Sequence, residues 1–92
     1  MNWEVYMLMA DNGALYTGIA RDAEKRFYQH LEDKNRGAKF FRGNPPVTLM
    51  YREQAIDRSE ASVREAQIKK LTRKQKEVLI EQFFLNETDL IS

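Results

Sequence analysis

A strand–turn–strand signature at the N-terminus narrows the fold more than any other stretch of this chain. Trp3, Val5, Met7 and Met9 alternate with Glu4, Tyr6 and Leu8, so residues 3 to 9 read as a strand. Asp11-Asn12-Gly13 follows, a strong hairpin signal. Leu15-Tyr16-Thr17-Gly18-Ile19 then returns as the second strand. The turn has two readings. A two-residue Asn12-Gly13 turn pairs Met9 with Tyr16 and puts Tyr6 and Tyr16 on opposite faces. A three-residue loop with Gly13 in the left-handed region pairs Leu8 with Tyr16, and the two tyrosines then share a face. Asp-Asn-Gly is compatible with either.

A helix is expected from about Asp22, a good N-cap, with Ala23, Phe27 and Leu31 as its buried stripe. Residues 35 to 46 read as a long polar loop ending in Pro45-Pro46, and loops of about a dozen residues tend to be functional or mobile. Val47 to Glu53 is a third strand. Asp57-Arg58-Ser59-Glu60 resembles a capping box that opens a helix running to about Leu71. Thr72-Arg73-Lys74-Gln75 is a second such box, and Val78, Leu79, Phe83 and Phe84 supply the last helix's apolar face. The expected fold is α+β, a three-stranded, mostly antiparallel sheet flanked by helices in the order β-β-α-β-α-α.

Ninety-two residues suit one domain, and 42% apolar content is enough for a globular core. With no cysteine, thiolate metal sites and cysteine nucleophiles are excluded, and a reducing cytoplasm is the expected location. The N-terminus has neither a basic n-region nor a long apolar run, so neither a signal peptide nor a membrane span is expected. The net charge of +1 hides two basic blocks. Lys34, Arg36, Lys39 and Arg42 fall between residues 34 and 44 with no acid among them. Arg64, Lys69, Lys70, Arg73, Lys74 and Lys76 stand against Glu65 alone, and the tail carries Glu81, Glu87 and Asp89. This pattern suggests a polyanion-binding face, although charged helix faces are more often just solvated.

Few side chains stand out as candidates for chemistry. Arg26 and His30 are four apart and share a helix face at the border of core and solvent; alone, such a pair is ordinary surface. Glu65 lies on the apolar stripe with Ala61 and Ile68, where a carboxylate is costly unless paired, hydrated or bound to a metal. Its structural explanation is an ion pair with Arg26 or Arg64. Its functional one is a lone oxygen ligand for Mg²⁺ or Mn²⁺, completed by water and substrate phosphate. Tyr6 and Tyr16 are equally consistent with plain sheet packing.

Taken together, these residues resemble the GIY-YIG nuclease superfamily, and in particular its small stand-alone bacterial branch, related to Slx-type, URI-like and homing endonuclease domains. The first motif reads Glu4-Val5-Tyr6 and the second Tyr16-Thr17-Gly18, followed by Arg21-Asp22-Ala23-Glu24-Lys25-Arg26 and His30. Gly37-Ala38-Lys39-Phe40-Phe41-Arg42-Gly43 resembles the "GAKYTRG" segment of the small branch. Asp57-Arg58-Ser59-Glu60-Ala61, Arg64-Glu65-Ala66 and Ile68-Lys69-Lys70-Leu71 resemble its second-helix motif. Any one of these motifs is weak, but the ordered set is specific. Glu4 replaces the motif glycine, Thr17 its isoleucine, and Phe40 a common tyrosine. Asn86 lies too far along to stand for the late asparagine of larger relatives.

The resemblance implies that residues 1 to 82 form a GIY-YIG-like nuclease domain, with 83 to 92 a C-terminal tail of the same domain. It implies a metal-dependent endonuclease that hydrolyses DNA phosphodiester bonds in repair or in processing of structured DNA. The alternative is a catalytically inactive nucleic-acid-binding module. Tyr6, Tyr16, Arg26 and His30 would be catalytic and Glu65 would hold one Mg²⁺ or Mn²⁺. Lys34, Arg36, Lys39, Arg42, Lys69, Lys70 and Arg73 would contact structured or branched DNA, and specificity would come from DNA shape or from a protein partner. A tyrosine of ordinary pKa, about 10, is a poor base at neutral pH, so positive charge from Arg26 is expected to lower that of Tyr6. The site also requires both tyrosines on one face, hence the three-residue hairpin loop.

Overall fold

The computed structural model describes residues 2–32 and 43–91, with side chains up to Asn86. The elements are β1 (Trp3–Ala10), β2 (Leu15–Ala20), α1 (Ala23–Glu32), β3 (Pro46–Ala55), α2 (Arg58–Lys69) and α3 (Arg73–Ile91). The strands form one antiparallel sheet in the order β2-β1-β3. This is the expected α+β architecture.

β1 is the central strand and is covered on both faces. Its two alternating sets of side chains therefore build two separate cores. Val5 and Met7 pack with Tyr51, Ala55, Ala61, Ile68 and Ile80 beneath α2 and α3. Tyr6, Leu8 and Ala10 pack with Ala20 and Ala23 beneath α1. Cover on both faces is why both alternating sets of β1 side chains are largely apolar.

The hairpin closes by the three-residue alternative. Ala10 N–H donates to Ala14 O at 2.9 Å and Gly13 N–H to Ala10 O at 2.9 Å. Gly13 has φ +85, which a glycine adopts without Cβ strain. Leu8 pairs with Tyr16 and Tyr6 with Gly18. At the start of α3, Arg73 Nη1 donates to Gly13 O at 2.7 Å, tying the helix to this loop.

Helix starts follow the capping logic with one variation. Asp22 Oδ1 accepts from Lys25 N–H at 3.0 Å. Thr72 and Gln75 exchange side-chain-to-backbone bonds at 2.9 and 3.2 Å, a reciprocal box. Asp57 Oδ1 accepts from Glu60 N–H at 2.8 Å, but Glu60 Oε1 reaches one residue beyond the box, to Ile56 N–H at 3.1 Å.

Two expected apolar stripes differ from those observed. Leu31 is 41% exposed, so α1 buries only Ala23 fully and Phe27 in part. In α3 the buried face is Leu79, Ile80 and Phe83, whereas Val78 and Phe84 face outward. Phe83 meets Tyr51 edge-on with ring centroids 5.8 Å apart, so α3 carries core residues past position 82. A 3–4 spacing puts 79, 80 and 83 on one side, and the sheet selects that side.

Candidate active site

Tyr6 stands on β1 directly opposite Gly18 on the edge strand β2. Its ring lies across the glycine: a Cβ built on Gly18 would fall 2.7 Å from Tyr6 Oη and 3.1 Å from Tyr16 Cε1. The missing side chain is what lets the phenol reach the β2 edge. Tyr16 lies on the same face, its ring centroid 6.3 Å from that of Tyr6. His30 on α1 completes the cluster, edge-on to Tyr16 at 5.7 Å, with Nε2 3.5 Å from Tyr6 Oη. That contact is at the long end of hydrogen-bond range.

Arg26, one turn before His30, is exposed and donates from Nη1 to Gln29 Oε1 at 3.4 Å. Its charge acts on both Tyr6 and His30. Glu65 also acts on the Tyr6 hydroxyl through its charge. Its side chain is 23% exposed and pairs with Lys69 Nζ at 3.5 Å, an i,i+4 contact. An ion pair with Arg26 or Arg64 is the structural expectation for Glu65. Arg64 instead donates from Nε to Glu53 Oε1 at 2.7 Å, an oxygen that also accepts from Tyr51 Oη at 2.6 Å. This β3–α2 clasp directs Arg64 away from its neighbour Glu65. Burial first, and then the Glu53 carboxylate, push the Tyr51 hydroxyl up to about 12.

Burial pushes the Tyr6 hydroxyl well above its usual value, and Tyr16 adds to the rise. Arg26 pulls it down without overcoming burial, and Glu65 raises it slightly. Arg26 lowers the Tyr6 value as expected, but loss of hydration outweighs this one exposed cation and the net shift is upward. His30 moves the other way. Burial first, then Arg26, lowers its value, so its imidazole is neutral at neutral pH.

Of the residues expected to bind nucleic acid, Lys34, Arg36, Lys39 and Arg42 lie outside the described residues. Lys69 is engaged by Glu65. Arg73 holds the hairpin and pairs with Glu77 at 3.6 Å. Lys70 is exposed.

Two contributors were not anticipated. Gly18 was read only as part of a motif. Glu4, read only as a replacement for the motif glycine, is almost fully buried. Its Oε1 accepts from Ala23 N–H at 2.9 Å, and its Oε2 accepts from Gln54 Nε2 at 2.9 Å with Arg52 Nε 3.8 Å away. Glu4 thus caps the first turn of α1 from the neighbouring strand and fixes the helix that carries Arg26 and His30. A carboxylate inside an apolar strand was the available signal.

The GIY-YIG catalytic-domain family model matches residues 2–78, which span the whole of this cluster. The chain belongs to the GIY-YIG family. It is 44% identical over 78 residues to a UPF0213 protein of Photorhabdus laumondii, covering 85% of this chain and 73% of that one. A UPF0213 protein of Pseudomonas aeruginosa is 42% identical with the same coverage. Among solved structures it resembles a solution structure from E. faecalis at 35% identity and TM-score 0.60, covering 92% of this chain and 88% of the other. It also resembles the UPF0213 protein BH0048 of Bacillus halodurans at 34% identity and TM-score 0.55, covering 89% and 85%. GIY-YIG membership brings a nuclease-type domain, a nucleic acid as its substrate class, and a family that generally uses a divalent metal. Among the described residues, no helix is long and apolar enough to cross a membrane.

The donor set here fits that metal in one particular way. Among the described residues no three His, Asp or Glu side chains gather to hold an ion. Glu65 offers one carboxylate within electrostatic reach of Tyr6, and its Lys69 partner is a surface pair held by only a few tenths of a kcal/mol. One hard oxygen ligand, completed by water and substrate phosphate, is a mode that Mg²⁺ accepts.

Proposed function

We propose that this protein is a metal-dependent endonuclease that hydrolyses phosphodiester bonds in DNA, acting on structured or branched substrates in repair or processing. Tyr6, Tyr16, Arg26 and His30 are the catalytic groups and Glu65 is the metal ligand. The observation that carries this reading is the position of Tyr6 Oη, 3.5 Å from His30 Nε2 and under the opposed charges of Arg26 and Glu65.

Phosphodiester hydrolysis needs a large rate enhancement, and a general base supplies only about 10²- to 10⁴-fold of it. The rest must come from stabilising charge on the phosphate. A divalent ion on Glu65 would supply Lewis-acid stabilisation of that charge. Arg26 presents its planar guanidinium to the phosphate oxygens. Neutral His30 is the proton acceptor. Tyr6, kept protonated by burial, orients the attacking water and passes its proton to Nε2: the water gives a proton to the phenol oxygen as the phenol gives its own to His30. Tyr16 packs edge-on against His30 and holds its ring in line.

The test is cleavage of branched, flapped and nicked DNA with Mg²⁺ or Mn²⁺ by wild type and by Glu65→Ala and Arg26→Ala. Undiminished cleavage by both variants would reject the assignment. The exposed Lys70 beside Lys69 and Arg73 supports a second reading, a nucleic-acid-binding module without catalysis. Salt-sensitive binding with no cleavage under any of these conditions would select it.

A further inference from the structure

We propose that the groove between Trp3 and α1 binds the phosphodiester backbone of a nucleotide flanking the one that is cut. The inference rests on the nuclease reading of the Tyr6 cluster and extends its substrate contact to a part of the surface that neither basic block supplies. The groove measures about 350 Å³, and Trp3, Ile19, Arg21, Lys25, Arg26 and Gln29 line it. That volume lies within the range of small-ligand sites, about 300–1,000 Å³.

Three cations and one acid face the groove. The acid, Asp22, is committed to the α1 cap through Lys25 N–H at 3.0 Å. Among the described residues, neither Arg21 nor Lys25 pairs with a carboxylate. Arg21 is instead held over the Trp3 ring, its guanidinium carbon 5.6 Å from the centroid. Arg58, from the start of α2, stands 5.8 Å from the same ring. Cation–π contacts of this kind orient a guanidinium while leaving its N–H donors available to an anion. Arg26 belongs both to this groove and to the electrostatics of Tyr6. A strand whose phosphate is held by Arg21 and Lys25 therefore continues onto Arg26 and into the candidate active site.

Trp3 is the only tryptophan, so its emission reports on this groove. Short oligothymidylate and oligouridylate are titrated into the protein in EDTA, with anisotropy of a labelled strand followed in parallel. Expected are a saturable change in Trp3 emission, a roughly tenfold loss of affinity in R21Q/K25Q, and a salt slope shallower by about 1.4 in that variant, about 0.7 per lost cation on a single strand. The single variant K25Q is expected to show about half of the change in slope. Replacing phosphates by methylphosphonates should weaken wild type and leave R21Q/K25Q nearly indifferent. Equal effects in the DNA and RNA arms assign recognition to the backbone, and loss in one arm alone assigns it to that sugar. Binding that saturates by anisotropy while Trp3 emission stays flat, or an unchanged affinity in R21Q/K25Q, overturns the proposal. Y6F and E65Q keep the two readings apart. Loss of cleavage with an intact Trp3 titration bears on the active site alone, and intact cleavage with no Trp3 response bears on the groove alone.

Discussion

The hydroxyl of Tyr6 occupies the space that a Cβ on Gly18 would need, 2.7 Å from where that carbon would be. Glycine is required here for close approach across the strands rather than for a special φ. Gly18→Ala is expected to displace the phenol, destabilise the fold by about 1–3 kcal/mol and reduce kcat/KM by on the order of 10²-fold. Urea unfolding and cleavage kinetics measure the two effects. An alanine variant that cleaves as well as wild type would show that the exact position of Tyr6 is unimportant.

Thr17, beside Gly18 in the same motif, has a buried Oγ1 with no hydrogen-bond partner among the described residues. It pairs with Met7 across the strands. Thr17→Val keeps the shape and removes the unsatisfied hydroxyl, so a gain of about 1 kcal/mol is expected. For a domain of this size that corresponds to a rise in Tm of roughly 4–8 °C. Calorimetry decides it, and a lower Tm would mean that the hydroxyl is satisfied in solution.

Glu4 holds the N-terminus of α1 and Gln54 together. Glu4→Ala leaves the Ala23 N–H without its acceptor and is expected to cost about 2–4 kcal/mol, counting both lost bonds. Glu4→Gln retains an oxygen for Ala23 and should recover most of this. Hydrogen exchange at the first turn of α1 is expected to accelerate in the alanine variant more than exchange in β1. Equal acceleration in both would indicate a general loss of stability rather than a loosened helix start.

His30 has a folded-state pKa below its ordinary 6.5 because it is buried and faces Arg26. Above 6.5 both the folded and the unfolded state hold it neutral. As pH falls below 6.5 the unfolded state takes up the proton first, so the stability present above 6.5 is progressively lost until the folded pKa is reached. The acid limb of kcat/KM should accordingly have its midpoint below 6.5. His30→Ala should flatten the stability loss in that window and abolish the limb. A limb centred above 6.5 would remove His30 from the role of base.

Among the described residues, Glu65 forms an ion pair with Lys69 alone, on the surface of α2. Glu65→Gln is therefore expected to change stability by less than about 0.5 kcal/mol, while metal-dependent cleavage falls by on the order of 10²-fold or more. A large loss of stability would instead assign Glu65 a structural role.

Local sequence carried much of this protein's architecture. Period-two runs marked β1 and β2, the Asp57 and Thr72 caps marked α2 and α3, and the resemblance of the ordered motifs to the GIY-YIG family pointed to Tyr6, Tyr16, Arg26, His30 and Glu65 as the candidate site. The strand and cap signals were legible because each depends on residues a few positions apart. Longer-range packing settled what remained. Asp11-Asn12-Gly13 is compatible with two turns, and the three-residue loop is the one that puts Tyr16 on the Tyr6 face. Which side of α3 is buried depended on the sheet beneath it, which chose Ile80 over Val78 and Phe84. Arg64 could have met Glu65 beside it, but Glu53 on β3 presents the same charge together with the Tyr51 hydroxyl. The pKa values of Tyr6 and His30 follow from how much water the fold removes from each ring. Hydration is a property of the packed chain, so sequence alone could name these side chains but not say which of them holds the proton.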